Sequence, residues 1–160
     1  MSDLLSSRQK RIILSIALAG LVGEIAFEFY AWVISPALFG VTLQPSNLVI
    51  AITAKLTGAQ LPHVLAFAIH FTIGSLGFGV VVYLMRLLMP TKVWVVGVAS
   101  GVLLWFVAQG VLAPFIGRSF MMGFGTYTQS SFIGHVGMTV IAAHLLAVFL
   151  PRAARQTSAG

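Results

Sequence analysis

The sequence predicts an all-α integral membrane protein, a four-helix bundle with a short interfacial helix between its first two spans. Three observations carry this prediction. Of 160 residues, 59% are hydrophobic and only 8% charged, with a mean hydropathy of +1.02; about 25% charged is usual in soluble domains. The apolar residues gather into segments near the length that crosses a hydrocarbon core of about 30 Å at roughly 1.5 Å per residue. Most Lys and Arg residues stand at the ends of those segments.

The first span is predicted over about 12–35. Its opening, "RQKRIILSIALAG", has basic residues before an apolar stretch, and Ala17 and Ala19 mimic a small-x-small cleavage site. The apolar run before that site is short and continues to Ala37, which suits an uncleaved span. Next comes "PSNLVIAITAKLTG", where Pro45 and Ser46 signal a helix start and Gly58 a stop. A helix over 46–57 is too short to cross. It is expected in the outer interface or over the bundle mouth, with Lys55 reaching toward water. Spans follow at about 62–85, 93–114 and 131–150. In the loop "GRSFMMGFGTYTQSS", order is expected only where Phe120, Phe124 and Tyr127 enter the interface. Pro36 and Pro114 fall at span ends, and Trp32, Trp94 and Trp105 read as belt or packing residues.

Arg8, Lys10, Arg11, Arg86, Lys92, Arg152 and Arg155 fall on one side of this arrangement, and Lys55 and Arg118 on the other. By the positive-inside rule both termini are cytoplasmic, in a multi-pass protein of a bacterial inner membrane. One membrane domain is expected over 1–160. The net charge of +6 reads as topology: the basic residues form no face of the kind that binds nucleic acid, so the expected partners are the lipid bilayer and other membrane subunits or a second copy. With no Cys there is no disulfide, Cys-ligated zinc, iron–sulfur cluster or thiol nucleophile. The one Asp, Asp3, lies in the N-terminal tail, so no Ser-His-Asp set forms within the bundle, and no phosphate loop or nucleophile elbow appears. A non-enzymatic protein is expected. Met121 and Met122 read as interfacial contacts rather than copper ligands.

Helices in lipid associate through small residues and interhelical hydrogen bonds. The candidate packing stripes are His63, Ala66, His70, Gly74 and Gly77 on span two, Gly97 and Gly101 on span three, and Gly134, Gly137, Ile141 and His144 on span four. On span one, Glu24 and Glu28 share a side with Gly20, since four residues on a helix are about 40° apart. That side must face inward, because an ionisable group in lipid costs several kcal/mol.

Depth counted along the helices brings Glu28 level with His70, near 10–12 Å from the outer surface at roughly 1.5 Å per residue, and Glu24 closer to His144. The expected cluster pairs Glu28 with His70 and Glu24 with His144, opening outward past His63, Gln109 and Tyr127. His135 and His144 lie about 180° apart on span four, so one of them faces elsewhere. Carboxylate–imidazole pairs can relay protons or hold a polar ligand, or they can simply fix packing; both readings stay open. Haem b ligated by His70 and His135 is a further alternative. A non-haem metal on Glu24, Glu28 and a His is chemically possible, although the Glu-x-x-His motif of di-iron bundles is missing.

The stretches "HFTIGSLGFGVVVYLM", "GVLLWFVAQGVLAPFIG" and "SFIGHVGMTVIAAHLL" are similar to the YagU-like small bacterial inner-membrane proteins, a four-helix family of unknown function. The likeness covers roughly 60–150, its most specific part being Pro-x-x-Gly after span three and Gly-His opening span four. It implies the same four-span fold and matches His135 and Gln109 to recurrent family positions; "GEIAFEFY" has no counterpart. The expectation is a polytopic inner-membrane protein whose Glu/His cluster tunes packing or proton handling. An accessory or assembly subunit of a larger membrane complex is the alternative from another class.

Overall fold

The computed structural model describes residues 6–150; Asp3, Arg152 and Arg155 lie outside them. The long helices are α1 (Ser7–Phe39), α3 (His63–Leu88), α4 (Val93–Phe115) and α5 (Thr126–Phe149), with the short α2 (Ser46–Thr57) between the first two. Among the described residues, four helices are long and apolar enough to cross a membrane. Their outer surfaces carry large exposed apolar side chains, among them Leu14, Phe29, Ile73, Leu84, Val111 and Ile133. The chain is an all-α polytopic membrane bundle.

α1 starts five residues earlier than expected, because Ser6 and Gln9 form a reciprocal capping box with bonds of 3.3 and 2.8 Å. It also runs through Pro36 to a left-handed Gly40 with φ +67°. A wide π-type turn at Tyr30–Ile34 makes this possible: the Ser35 N–H bonds to Tyr30 carbonyl, five residues back. Pro36 has no N–H to offer, so the Ala31 carbonyl is left over. The returning loop fills it, with the Leu43 N–H at 3.3 Å.

A chain of hydroxyls fastens the same corner. Ser35 donates to the Val41 carbonyl at 2.6 Å, which leaves Ser130 to donate to Ser35 at 2.7 Å and Tyr30 to Ser130 at 2.9 Å. Ser35 and Ser130 are fully buried. Ser130→Ala removes the middle link and leaves the Tyr30 hydroxyl without its acceptor, so a loss of about 1–3 kcal/mol is expected. Thermal unfolding in mild detergent measures it, and an unchanged midpoint would count against the relay.

α3 carries a second π-type turn, Ile73–Phe78. One extra residue enters there, and the inward stripe steps across by one position. Ala66 and Gly74 lead not to Gly77 but to Ser75, Gly79, Val82 and Arg86, all buried. The expectation for Gly77 is therefore corrected: a Cβ there would meet only Ile73 of its own helix. Gly20 of α1 lies against the Ser75 backbone, and Gly79 against the Ile16 carbonyl.

α4 and α5 approach most closely at Gly97, where a Cβ would come 2.6 Å from Val140 Cα, and at Gly101, with Val136 Cα at the same 2.6 Å. The Thr139 hydroxyl bonds across this seam to the Gly97 carbonyl at 2.8 Å. A third π-type turn, Val107–Leu112, precedes Pro114 and turns Gln109 and Ala113 inward. On α5, Gly134 packs under Phe27 and Tyr30, but a Cβ at Gly137 would meet nothing within 4 Å among the described residues. Ile141 and His144 are exposed as well. The stripe expected on span four is thus corrected after Gly134. The inward face runs through His135, Met138, Thr139, Ala142 and Leu146, which lie largely on the opposite side of the helix.

α5 begins five residues before the expected 131, after a tight turn at Phe120–Phe124. Met121, Met122 and Phe124 have positive φ in that turn, a conformation that side chains disfavour. Burial of Met121 and a 2.7 Å bond from the Thr128 hydroxyl to its carbonyl hold it. The loop is more ordered than its composition suggested. At the other end Arg86 donates to the Leu146 and Leu150 carbonyls, closing the C-terminus of α5.

Candidate functional site

Three side chains meet between α1 and α3. Glu24 is fully buried, and its Oε1 lies 3.2 Å from His70 Nδ1. Glu28, one turn outward, brings its Oε1 to 3.9 Å from the same nitrogen. Its other oxygen accepts a 2.8 Å bond from Trp32 Nε1, which orients the carboxyl. Gly74 clears the space: a Cβ at that position would run into the Glu24 carboxyl. Apart from the imidazole, neither Glu24 oxygen has a polar partner among the described residues. Ligand atoms of all three side chains lie within 4.8 Å of one another, close enough for a single divalent cation to reach them all.

His70 is therefore the histidine of both carboxylates, and the expected Glu24–His144 pair does not form. His144 is exposed and bonds its own helix, with Nδ1 2.8 Å from the Val140 carbonyl. His63 is exposed too; it lines a shallow surface groove with Trp32, Gln44 and Phe67 rather than leading to the cluster.

His135 takes the inward position on α5. It is buried, with Nδ1 2.7 Å from the Ser131 carbonyl. Gln109 lies beside it and donates to Ser131 Oγ at 3.4 Å, while its own carbonyl oxygen is buried without a partner. These groups, with His70, Tyr127 and Arg118, form the polar part of a cavity of about 180 Å³. Gln44 also lines it; the remainder is apolar, and Leu48, Val49 and Ile52 of α2 form one wall. α2 thus packs over the bundle mouth, its Lys55 ammonium 5.3 Å from the centre of the Phe115 ring.

The haem alternative does not fit. His70 and His135 share a cavity, yet Phe27 packs against both rings, at 6.3 and 5.4 Å between centroids, and Phe78 likewise at 6.4 and 6.5 Å. Both phenyl rings thus crowd the two imidazoles that would have to ligate the iron. The cavity is also smaller than the roughly 300–1,000 Å³ of ordinary small-molecule pockets.

Several contributors escaped sequence reasoning. Trp32 reads in the sequence as a belt or packing residue, although its i, i+4 relation to Glu28 is a usable signal. Ser131 and Arg118 were not assigned to the site, and nothing in a one-dimensional pattern marks them. No family model matches the chain, and no curated protein or solved structure is detectably similar to it.

Proposed function

We propose that this chain is a non-enzymatic protein of a bacterial inner membrane, with both termini cytoplasmic, that takes up and releases protons at Glu24, His70 and Glu28. The observation that carries this reading is Glu24, a fully buried carboxyl whose polar neighbour is an imidazole at 3.2 Å. A carboxylate alone in hydrocarbon costs roughly 2.5–3.5 kcal/mol. Beside an imidazole it can exist as an ion pair or as a neutral pair, and a proton shift over one hydrogen bond interconverts the two. Glu28 adds a second acceptor within reach of the same nitrogen, so the cluster has more than one proton position.

His70 lines both the cluster and the cavity, which provides a polar route past Gln109, His135 and Tyr127. Arg8, Lys10, Arg11, Arg86 and Lys92 lie at the other end of the bundle, which the positive-inside rule places in the cytoplasm; the cavity then faces outward. The likeness to YagU-like proteins belongs to the same reading, since the two positions it matches, His135 and Gln109, are on the cavity wall.

Infrared difference spectroscopy of the membrane-reconstituted protein across a pH change tests the proposal. A protonated-carboxyl C=O signal is expected in the wild type, lost in Glu24→Gln and displaced in Glu28→Gln, with circular dichroism unchanged. A signal that persists in the double Gln variant, or none in the wild type, would defeat it.

A further inference from the structure

The cavity under α2 has more shape and polarity than a route for protons to Glu24 requires. We infer that it binds a neutral, ring-sized molecule carrying hydroxyl groups, of the phenol or hydroquinone class. The inference goes beyond the proton reading and stands or falls apart from it.

Size comes first. At about 180 Å³ the cavity is slightly larger than the roughly 150 Å³ apolar cavity that accepts benzene in an engineered protein. Its walls suit a ring, being built largely from Phe27, Leu48, Ile52, Phe78 and Leu104. A long lipid chain or a tetrapyrrole exceeds that volume.

The polar groups then select the chemistry. The Gln109 carbonyl oxygen is buried, has no hydrogen-bond partner among the described residues, and belongs to a side chain on the cavity wall. Buried acceptors without a donor are rare in folded proteins, and each calls for an explanation. His135 supplies a second acceptor. Its Nδ1 lies 2.7 Å from a carbonyl oxygen, which can only accept, so Nδ1 carries the proton; in the neutral ring Nε2 is then an acceptor. No described residue bonds to that Nε2. Arg118, Tyr127 and Gln44 on the same wall can donate, so the cavity suits a hydroxyl group, which both donates and accepts.

Charge narrows the class further. Arg118 lines the cavity and opposes a cationic amine, a penalty that a neutral hydroxyl compound avoids. Water could satisfy the same acceptors, and the experiment separates the two occupants.

The test uses the full chain in lipid nanodiscs with hydroquinone as probe and toluene as a shape control. Calorimetry is expected to give saturable binding of hydroquinone, one per chain. Gln109→Met, which keeps length and removes the acceptor, should weaken hydroquinone about tenfold and leave toluene unchanged. Ala108→Phe fills the cavity and should abolish both, provided circular dichroism and elution volume show each variant folded. A measurement on the wild type needs no variant: hydroquinone should shift the side-chain nitrogen resonances of His135 and not those of the exposed His63 and His144. Failure of hydroquinone to saturate, equal affinity in wild type and Gln109→Met, or shifts confined to the exposed histidines would each overturn the inference and leave the cavity to water.

Discussion

Replacing Gly20 with alanine is expected to force α1 and α3 apart and cost about 3 kcal/mol, the upper end of ordinary overpacking. The new methyl would run into the Ser75 carbonyl oxygen and come 3.2 Å from Gly79 Cα. Both obstacles are backbone, so no rotamer change relieves them. The same substitution at Gly137 should have the opposite sign. A Cβ there would meet no other group within 4 Å among the described residues, and alanine is favoured over glycine in a helix interior by up to about 1 kcal/mol. Thermal unfolding of the two variants in one detergent gives the comparison. If Gly20→Ala melts at or above the wild type, the close α1–α3 contact is wrong. The effect would also reach the cluster, since the same contact brings Glu24 of α1 to His70 of α3.

His70→Leu should be the most damaging change at the cluster. It leaves Glu24 buried and without a partner, and breaking a buried pair in this way typically costs about 3–5 kcal/mol. The double variant Glu24→Leu with His70→Leu should recover most of that loss, because replacing both members with apolar side chains of similar volume is often neutral or stabilising. The cycle separates two roles. Strong recovery of stability together with loss of the infrared carboxyl signal means that the pair is kept for what it does with protons. If His70→Leu unfolds no earlier than the wild type, Glu24 has little dependence on His70, and the cluster has been misread.

How far the site was legible can be followed residue by residue. The inward direction of Glu24 and Glu28 followed from composition, because a carboxylate on the lipid face is too costly, and simple depth placed Glu28 level with His70. The partner of Glu24 is His70, not the His144 that depth alone suggests. Depth along a helix says nothing about rotation around it, and His144 sits on the outer side of α5. Gly77 failed for a different reason: the π-type turn at Ile73–Phe78 shifts the register of α3 by one residue, which a fixed 100° step cannot anticipate. The π-type turns before Pro36 and Pro114 were hinted at by those prolines, since each removes an N–H from the helical ladder.

The sequence by itself determined four spans, the short α2, and the need to hide two carboxylates, since length, hydropathy and the cost of charge in lipid act locally or on averages. Only the tertiary structure decided that His70 serves both carboxylates, that Gln109 and His135 share a cavity wall, and that α2 covers it. Those outcomes depend on helix rotation and register, which are set where backbones touch, at Gly20 on Ser75, Gly97 on Val140 and Gly101 on Val136. Contacts of that kind join residues far apart in the chain, and no local pattern encodes which pairs will meet.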